Sequence, residues 1–162
     1  MLAGGRSSRF GTDKAAAPYR GRSLLDHARD LCELWTDATI VVGRPGGAPD
    51  LPGPHLGPLG GIAGALDHAV RHGFTSVLTI GCDMPNLPAD LLKSLLRRSP
   101  SYCVDAPVVG HWPAALAPAL LDHIATSTRR SVQGWARAIG ALPIASPAPL
   151  ANINTPADLM AL

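Results

Sequence analysis

The stretch Met1-Leu2-Ala3-Gly4-Gly5-Arg6-Ser7-Ser8-Arg9-Phe10-Gly11-Thr12-Asp13-Lys14 decides how the rest of the chain is read. Its first three residues have the character of a strand end. The glycines that follow let the backbone turn closely and bring N–H groups toward an anion. Arg6, Arg9 and Lys14 add three cations, a set suited to a polyphosphate. Neither standard glycine motif fits. A Walker A loop needs Gly-x-x-x-x-Gly-Lys-Ser/Thr, whereas Lys14 follows Asp13, and the dinucleotide form Gly-x-Gly-x-x-Gly is absent. On composition alone, a flexible Gly/Ser loop with solvated arginines competes with the phosphate-binding reading.

Moving outward, Ser23-Leu24-Leu25-Asp26 has the form of a capping box, and Leu24, Leu25, Ala28, Leu31, Cys32 and Trp35 recur behind it at helical spacing. Residues 38–42 (Ala-Thr-Ile-Val-Val) and 76–80 (Ser-Val-Leu-Thr-Ile) are apolar and β-branched, as strands covered on both faces are. Between them lies a loop rich in Pro and Gly, then a helix whose Leu59, Ile62, Ala63, Leu66, Ala69 and Val70 share a face. Pro88 and Asp90 open a third helix. Residues 102–116 read as two short strands around Gly110, residues 118–124 and 131–139 as helices, and 142–145 as a strand. Thr155-Pro156-Ala157-Asp158 is a second capping box. Strands alternating with helices predict a three-layer α/β fold with a mostly parallel central sheet.

The 162 residues, 46% hydrophobic and 16% charged, suit one domain spanning 1–162 and exclude disorder as the main state. A formal net charge of +2 without a basic run gives no case for nucleic-acid binding. No apolar run approaches the roughly 18 residues of a membrane span, and no signal-peptide core is visible, so the expectation is a cytoplasmic protein. Cys32, Cys82 and Cys103 are odd in number and widely spaced, which predicts buried, reduced thiols.

In such sheets ligands sit beyond the carboxyl ends of the strands. That rule selects residues 4–14, 50–61 and 81–85. Asp83 ends an apolar strand, so its carboxylate emerges at the ligand edge, where a hard cation can use one carboxylate completed by phosphates and water. Asp50 lies among prolines and glycines and reads equally as a ligand or a solvated loop residue. Gly57 and Gly60 open a helix whose N-terminus can face an anion or simply pack closely. Asn154 stands before a capping box and is read either as a ligand or as support for that turn. Arg129 and Arg130 read as exposed loop arginines, and His68 and His72 as solvent-facing. Cys82 reads as core packing rather than a nucleophile.

The motif Leu2-Ala3-Gly4-Gly5-x-Ser-x-Arg9-Phe10-Gly11-x-Asp13-Lys14 resembles the opening of the molybdenum cofactor guanylyltransferases, a nucleotidyltransferase family with a Rossmann-like three-layer fold. The resemblance continues in order through Asp50 with Gly57-Pro58-Leu59-Gly60-Gly61-Ile62, Gly81-Cys82-Asp83-Met84-Pro85, and Asn152-Ile153-Asn154-Thr155-Pro156. It implies that the backbone of Leu2, Ala3 and Gly4 lines the nucleotide, with Gly5, Arg6 and Arg9 in the same loop. Lys14 then binds phosphates, Asp50 lies near base or ribose, and Asp83 holds Mg²⁺. Asn152 and Asn154 lie near metal and acceptor, with His55, His111 and Trp112 as further contacts. Lys14, Asp83 and Arg9 are the implied catalytic set.

The implied substrates are GTP and molybdopterin, with molybdoenzyme maturation proteins as possible partners. Two departures stand out. The family's first strand has more apolar residues before this motif, which predicts a clipped central strand here. Gly43 stands where the family tends to carry Asn, which leaves guanine preference less fixed than nucleotidyl transfer. Cytidylyl transfer, transfer to another small phosphate, or a nucleotide-binding homologue without turnover stay open as alternatives.

Overall fold

Ser23 starts the first long helix as its sequence predicts. In the computed structural model, which describes residues 1–4, 13–128, 130–153, 155 and 157–158, the Ser23 hydroxyl accepts from the Asp26 N–H at 3.1 Å. The Asp26 carboxylate accepts in turn from the Ser23 N–H. The helix that follows, α1 (Leu24–Glu33), turns Leu24, Ala28 and Cys32 inward. Thr155 and Asp158 make the same reciprocal pair, with the Asp158 carboxylate accepting from the Thr155 N–H at 2.8 Å. Ahead of α1 lies a hairpin that periodicity did not reveal, β1 (Pro18–Tyr19) with β2 (Arg22–Ser23). Its two turn residues, Arg20 and Gly21, both have positive φ, the turn that matches strand twist.

The remaining helices are α2 (Pro58–Arg71), α3 (Ala89–Leu96), α4 (Ala117–Thr126) and α5 (Val132–Ala138). They agree with the sequence reading to within a few residues. The strands are β3 (Ser76–Thr79), β4 (Ser101–Cys103), β5 (Gly110–Pro113) and β6 (Leu142–Ile144), in the order β3-β5-β4-β6.

This sheet is mixed rather than mostly parallel. β5 runs antiparallel to both β3 and β4, and only β4 and β6 are parallel partners within it. The cause is the connection after β4. The chain doubles back at once, the Cys103 N–H donates to the Val109 carbonyl at 2.8 Å, and β5 returns beside the strand just left. A parallel return needs a crossover of a dozen or more residues, and residues 104–109 are too few.

Parallel pairing resumes on the other side of β3. Leu2 bridges Gly81 on one flank and Val42 on the other. The Leu2 N–H donates to the Ile80 carbonyl at 2.8 Å, the Cys82 N–H to the Leu2 carbonyl, and the Ala3 N–H to the Val42 carbonyl at 3.0 Å. The strand expected over 38–42 is thus an extended segment bridged to Leu2 only at Val42.

Side chains alternate across the sheet, which places a core on each face. Leu2, Val42, Tyr102 and Trp112 face α2, α4 and α5, packing with Leu59, Ile62, Leu66, Leu120 and Trp135. Met1, Leu78, Ile80 and Cys103 face α1 and α3, packing with Ala28, Leu91, Leu92 and Leu95. Each fully buried leucine contributes about 1.5–3 kcal/mol relative to exposure, so both helical layers are firmly held. No helix among the described residues is long and apolar enough to cross a membrane.

Residue 1 sits deep in this arrangement. The Met1 α-ammonium donates to the Ile40 carbonyl at 2.8 Å. It forms the floor of a cavity of about 160 Å³ between residues 38–40 and β3, with Trp35 and Phe74 also in its wall. Burial holds this amine below its ordinary value.

Candidate functional site

Residues 1–3, 40–42 and 80–82 run side by side, and the chain leaves all three at the same sheet edge. At that edge Gly4 and Gly43 lie against one another. A Cβ on Gly43 would stand 2.6 Å from the Gly4 Cα, and Gly43 has φ +83°, so two separate constraints ask for glycine there. The Asp50 carboxylate completes the contact: a Cβ on Gly4 would be 3.3 Å from its Oδ2, and one on Gly61 would be 3.6 Å from its Oδ1. Gly60 abuts the Asp50 Cβ, and the Leu51 N–H donates to the Gly60 carbonyl at 3.0 Å, which stitches the loop to the first turn of α2. Asp50 therefore occupies a niche walled by Gly4, Gly43, Gly60 and Gly61. Burial raises its carboxyl above the usual carboxylate range, with His55 pulling in the opposite direction.

The second half of the site is an ion pair. Lys14 Nζ donates to Asp83 Oδ2 at 2.9 Å, with side chains 15% and 26% exposed. Lys14 begins a short 3-10 turn capped by Asp13, whose carboxylate accepts from the Ala15 N–H. Asp13 is also gripped by the Arg44 guanidinium through two hydrogen bonds, Nη1 to Oδ1 at 2.8 Å and Nη2 to Oδ2. The hydrogen bond from Arg44 holds the Asp13 carboxyl below its usual range. The Lys14 turn is thereby tied to the residue following Gly43. On the Asp83 side, the carboxylate folds back over Gly81, where a Cβ would lie 2.3 Å from Oδ1. The Ile153 N–H donates to the Asp83 carbonyl at 3.0 Å and brings the exposed Asn152 alongside.

The structure thus groups Gly4, Asp50 and Gly60, and separately Lys14, Asp83 and Asn152. Gly57, with φ +65°, sits at the N-cap of α2. Gly5, Arg6, Arg9, Asn154 and Arg129 lie outside the described residues; Arg130 is exposed.

The Leu2 and Ala3 N–H groups are hydrogen-bonded within the sheet, and Gly4 lies against Asp50. Two expectations are corrected. His111 and Trp112 are core residues. His111 Nδ1 contacts the Leu95 carbonyl, and Trp112, fully buried, donates to Thr79 and packs on Trp135. His68 is half-buried, its ring stacked on that of the exposed His72. The three cysteines are free and buried. Burial, then the Asp83 charge, pushes the Cys82 thiol up to about 11, which leaves it protonated and inert at neutral pH. The sequence gives Arg44 no role; its partner lies 31 residues away, a distance at which no local pattern exists.

A divalent cation fits this donor set. Among the described residues no group of three or more His, Cys, Asp or Glu could enclose a metal. A lone half-exposed carboxylate at a strand end matches Mg²⁺, which takes one or two carboxylates and fills its shell with phosphate oxygens and water.

Comparison with known proteins identifies the family. The family model of the MobA-like NTP transferase domain matches residues 1–143. The chain is 36% identical to a probable molybdenum cofactor guanylyltransferase of Rhodopirellula baltica, over 98% of this chain and 88% of that one. It is 35% identical to the molybdenum cofactor guanylyltransferase of Rhizobium johnstonii, over 99% and 88%. In fold it resembles the crystal structure of molybdopterin-guanine dinucleotide biosynthesis protein A from Archaeoglobus fulgidus, with a TM-score of 0.74 and 21% identity over 99% of this chain and 93% of that one. With glycines, lysine and aspartate at the edge of a sheet that matches in both sequence and shape, the chain belongs to the MobA-like NTP transferase family.

Proposed function

We propose that this nucleotidyltransferase moves GMP from GTP onto the terminal phosphate of molybdopterin. An oxygen of the acceptor phosphate attacks the α-phosphorus of GTP, the bond from that phosphorus to the β-phosphate breaks, and pyrophosphate leaves. A phosphate monoester has a second pKa of about 6 and is already ionised at neutral pH, so the protein need not supply a strong base. Its task is to hold two polyanions in line and to balance the charge on the leaving group.

The observation that carries this reading is the meeting of Lys14 and Asp83 at the sheet edge, beside a glycine-walled carboxylate. Lys14 would hold phosphate oxygens. Asp50, packed among Gly4, Gly43, Gly60 and Gly61, would lie near the base or ribose. Asp83, with Asn152 adjacent, would hold Mg²⁺. When bound, that ion supplies charge neutralisation at the phosphates. The relatives' names point to guanylyl transfer and to molybdopterin as acceptor.

Pyrophosphate release, measured with GTP or CTP in the presence of molybdopterin and Mg²⁺, tests the proposal. Release with GTP and acceptor together is expected. Release with CTP instead would move the assignment to cytidylyl transfer, and GTP binding without release would mark a homologue that does not turn over.

A further inference from the structure

Lys14 is assigned to phosphate oxygens and Asp83 to a divalent cation, yet the two side chains are hydrogen-bonded to each other at 2.9 Å. The ammonium lies on Asp83 Oδ2, an oxygen that a divalent cation would take. Its departure requires no refolding. The Lys14 backbone is fixed by the Asp13 cap and by Arg44, so only the side chain has to swing. A dication arriving alone would have to displace this ammonium or sit beside a like charge in a half-buried site, where such repulsion is strong. A triphosphate changes the balance by offering the lysine another anionic partner.

We propose that Lys14 masks the metal ligand Asp83 in the free protein and that nucleotide phosphates unmask it, so that divalent cation enters with or after the nucleotide. This rests on the functional reading above and adds to it an order of binding. The masking makes Lys14 an inhibitor of metal binding before it becomes a phosphate ligand. A simple phosphate-binding lysine would have no effect on metal affinity in the absence of nucleotide.

The probe is Mn²⁺ alone, titrated into the full nucleotide-free chain and followed by loss of the free-ion paramagnetic resonance signal. Lys14→Met is expected to tighten Mn²⁺ binding about tenfold, since it removes a cation in contact with the ligand oxygen. Lys14→Gln, which keeps a polar side chain of similar length, is expected to do the same and serves if the first variant folds poorly. A gain of threefold or more in either folded variant supports masking, and a smaller one overturns it. Adding Asp83→Asn to Lys14→Met is expected to abolish the gained affinity. If the gain survives that change, Asp83 is not the ligand and both the masking and the metal assignment fall. If the gain is absent while Asp83→Asn still stops pyrophosphate release, masking alone is lost.

Discussion

Gly43→Ala against Gly46→Ala separates backbone strain from close packing. Both glycines have nearly the same positive φ, +83° and +80°. An alanine at either pays the left-handed conformation, about 1–2 kcal/mol. Their surroundings differ. Nothing lies within 4 Å of a Cβ at Gly46, whereas one at Gly43 meets the Gly4 Cα at 2.6 Å, the Gly4 N at 2.9 Å and Asp50 Oδ1 at 3.1 Å. Backbone atoms cannot rotate away, so the overlap adds about 1–3 kcal/mol. The expected losses are therefore about 1–2 kcal/mol for Gly46→Ala and about 2–5 kcal/mol for Gly43→Ala. In a chain of this size each kcal/mol lowers Tm by about 2–4 °C. Urea denaturation gives the two values, and calorimetric titration with GTP and Mg²⁺ gives the functional consequence. Only Gly43→Ala should weaken GTP binding, because only it pushes on Gly4 and Asp50. Equal destabilisation by the two variants, or undiminished GTP affinity in Gly43→Ala, would refute the packing argument.

Asp83→Ala should lower pyrophosphate release by at least about a hundredfold, the scale seen when one stabilising group is removed from a charged transition state; near-normal turnover rejects the metal role. Asp50→Asn should stabilise the fold at pH 7 while weakening GTP binding. The carboxyl value is raised on folding, so its favourable contribution exists below the ordinary 3.8 and is lost as pH rises through the raised value. Urea midpoints that coincide for variant and parent at pH 7 would contradict the buried-charge reading.

Much of the fold is written in local chemistry. Ser23 and Asp26 are a helix start whose two hydrogen bonds form between neighbours in sequence, and Thr155 with Asp158 repeats it. The apolar run at 76–80 becomes a strand whose Leu78, Thr79 and Ile80 are buried, whereas the run at 142–145 becomes the exposed edge strand β6, paired on one side only to β4. Strand direction is not carried by composition, and β5 ran against expectation for that reason. The signal that was present lay in arithmetic: six residues separate β4 from β5, enough for a hairpin and too few for a crossover. The meeting of Lys14 and Asp83 was legible from the rule that ligands gather at strand ends, whereas the sequence left Asp50 open between a ligand and a solvated loop residue. The Asp13–Arg44 clamp was not legible, because an Arg in a loop has no sequence mark that tells which acid it will meet. Trp112 misled in the other direction. An indole near a family's acceptor region reads as a contact until the sheet is built and turns it toward Trp135.

The placement of the Met1 nitrogen bears on how the protein should be handled. Any residue joined to that nitrogen has to travel through the opening between residues 38–40 and β3, with hydrogen-bonding strand edges on either hand. A bulky or charged affinity handle fused there would pry the two edges apart. A short spacer of valine and isoleucine placed before the handle would instead lengthen the extended segment of residues 1–3 between those edges, and would raise the melting temperature.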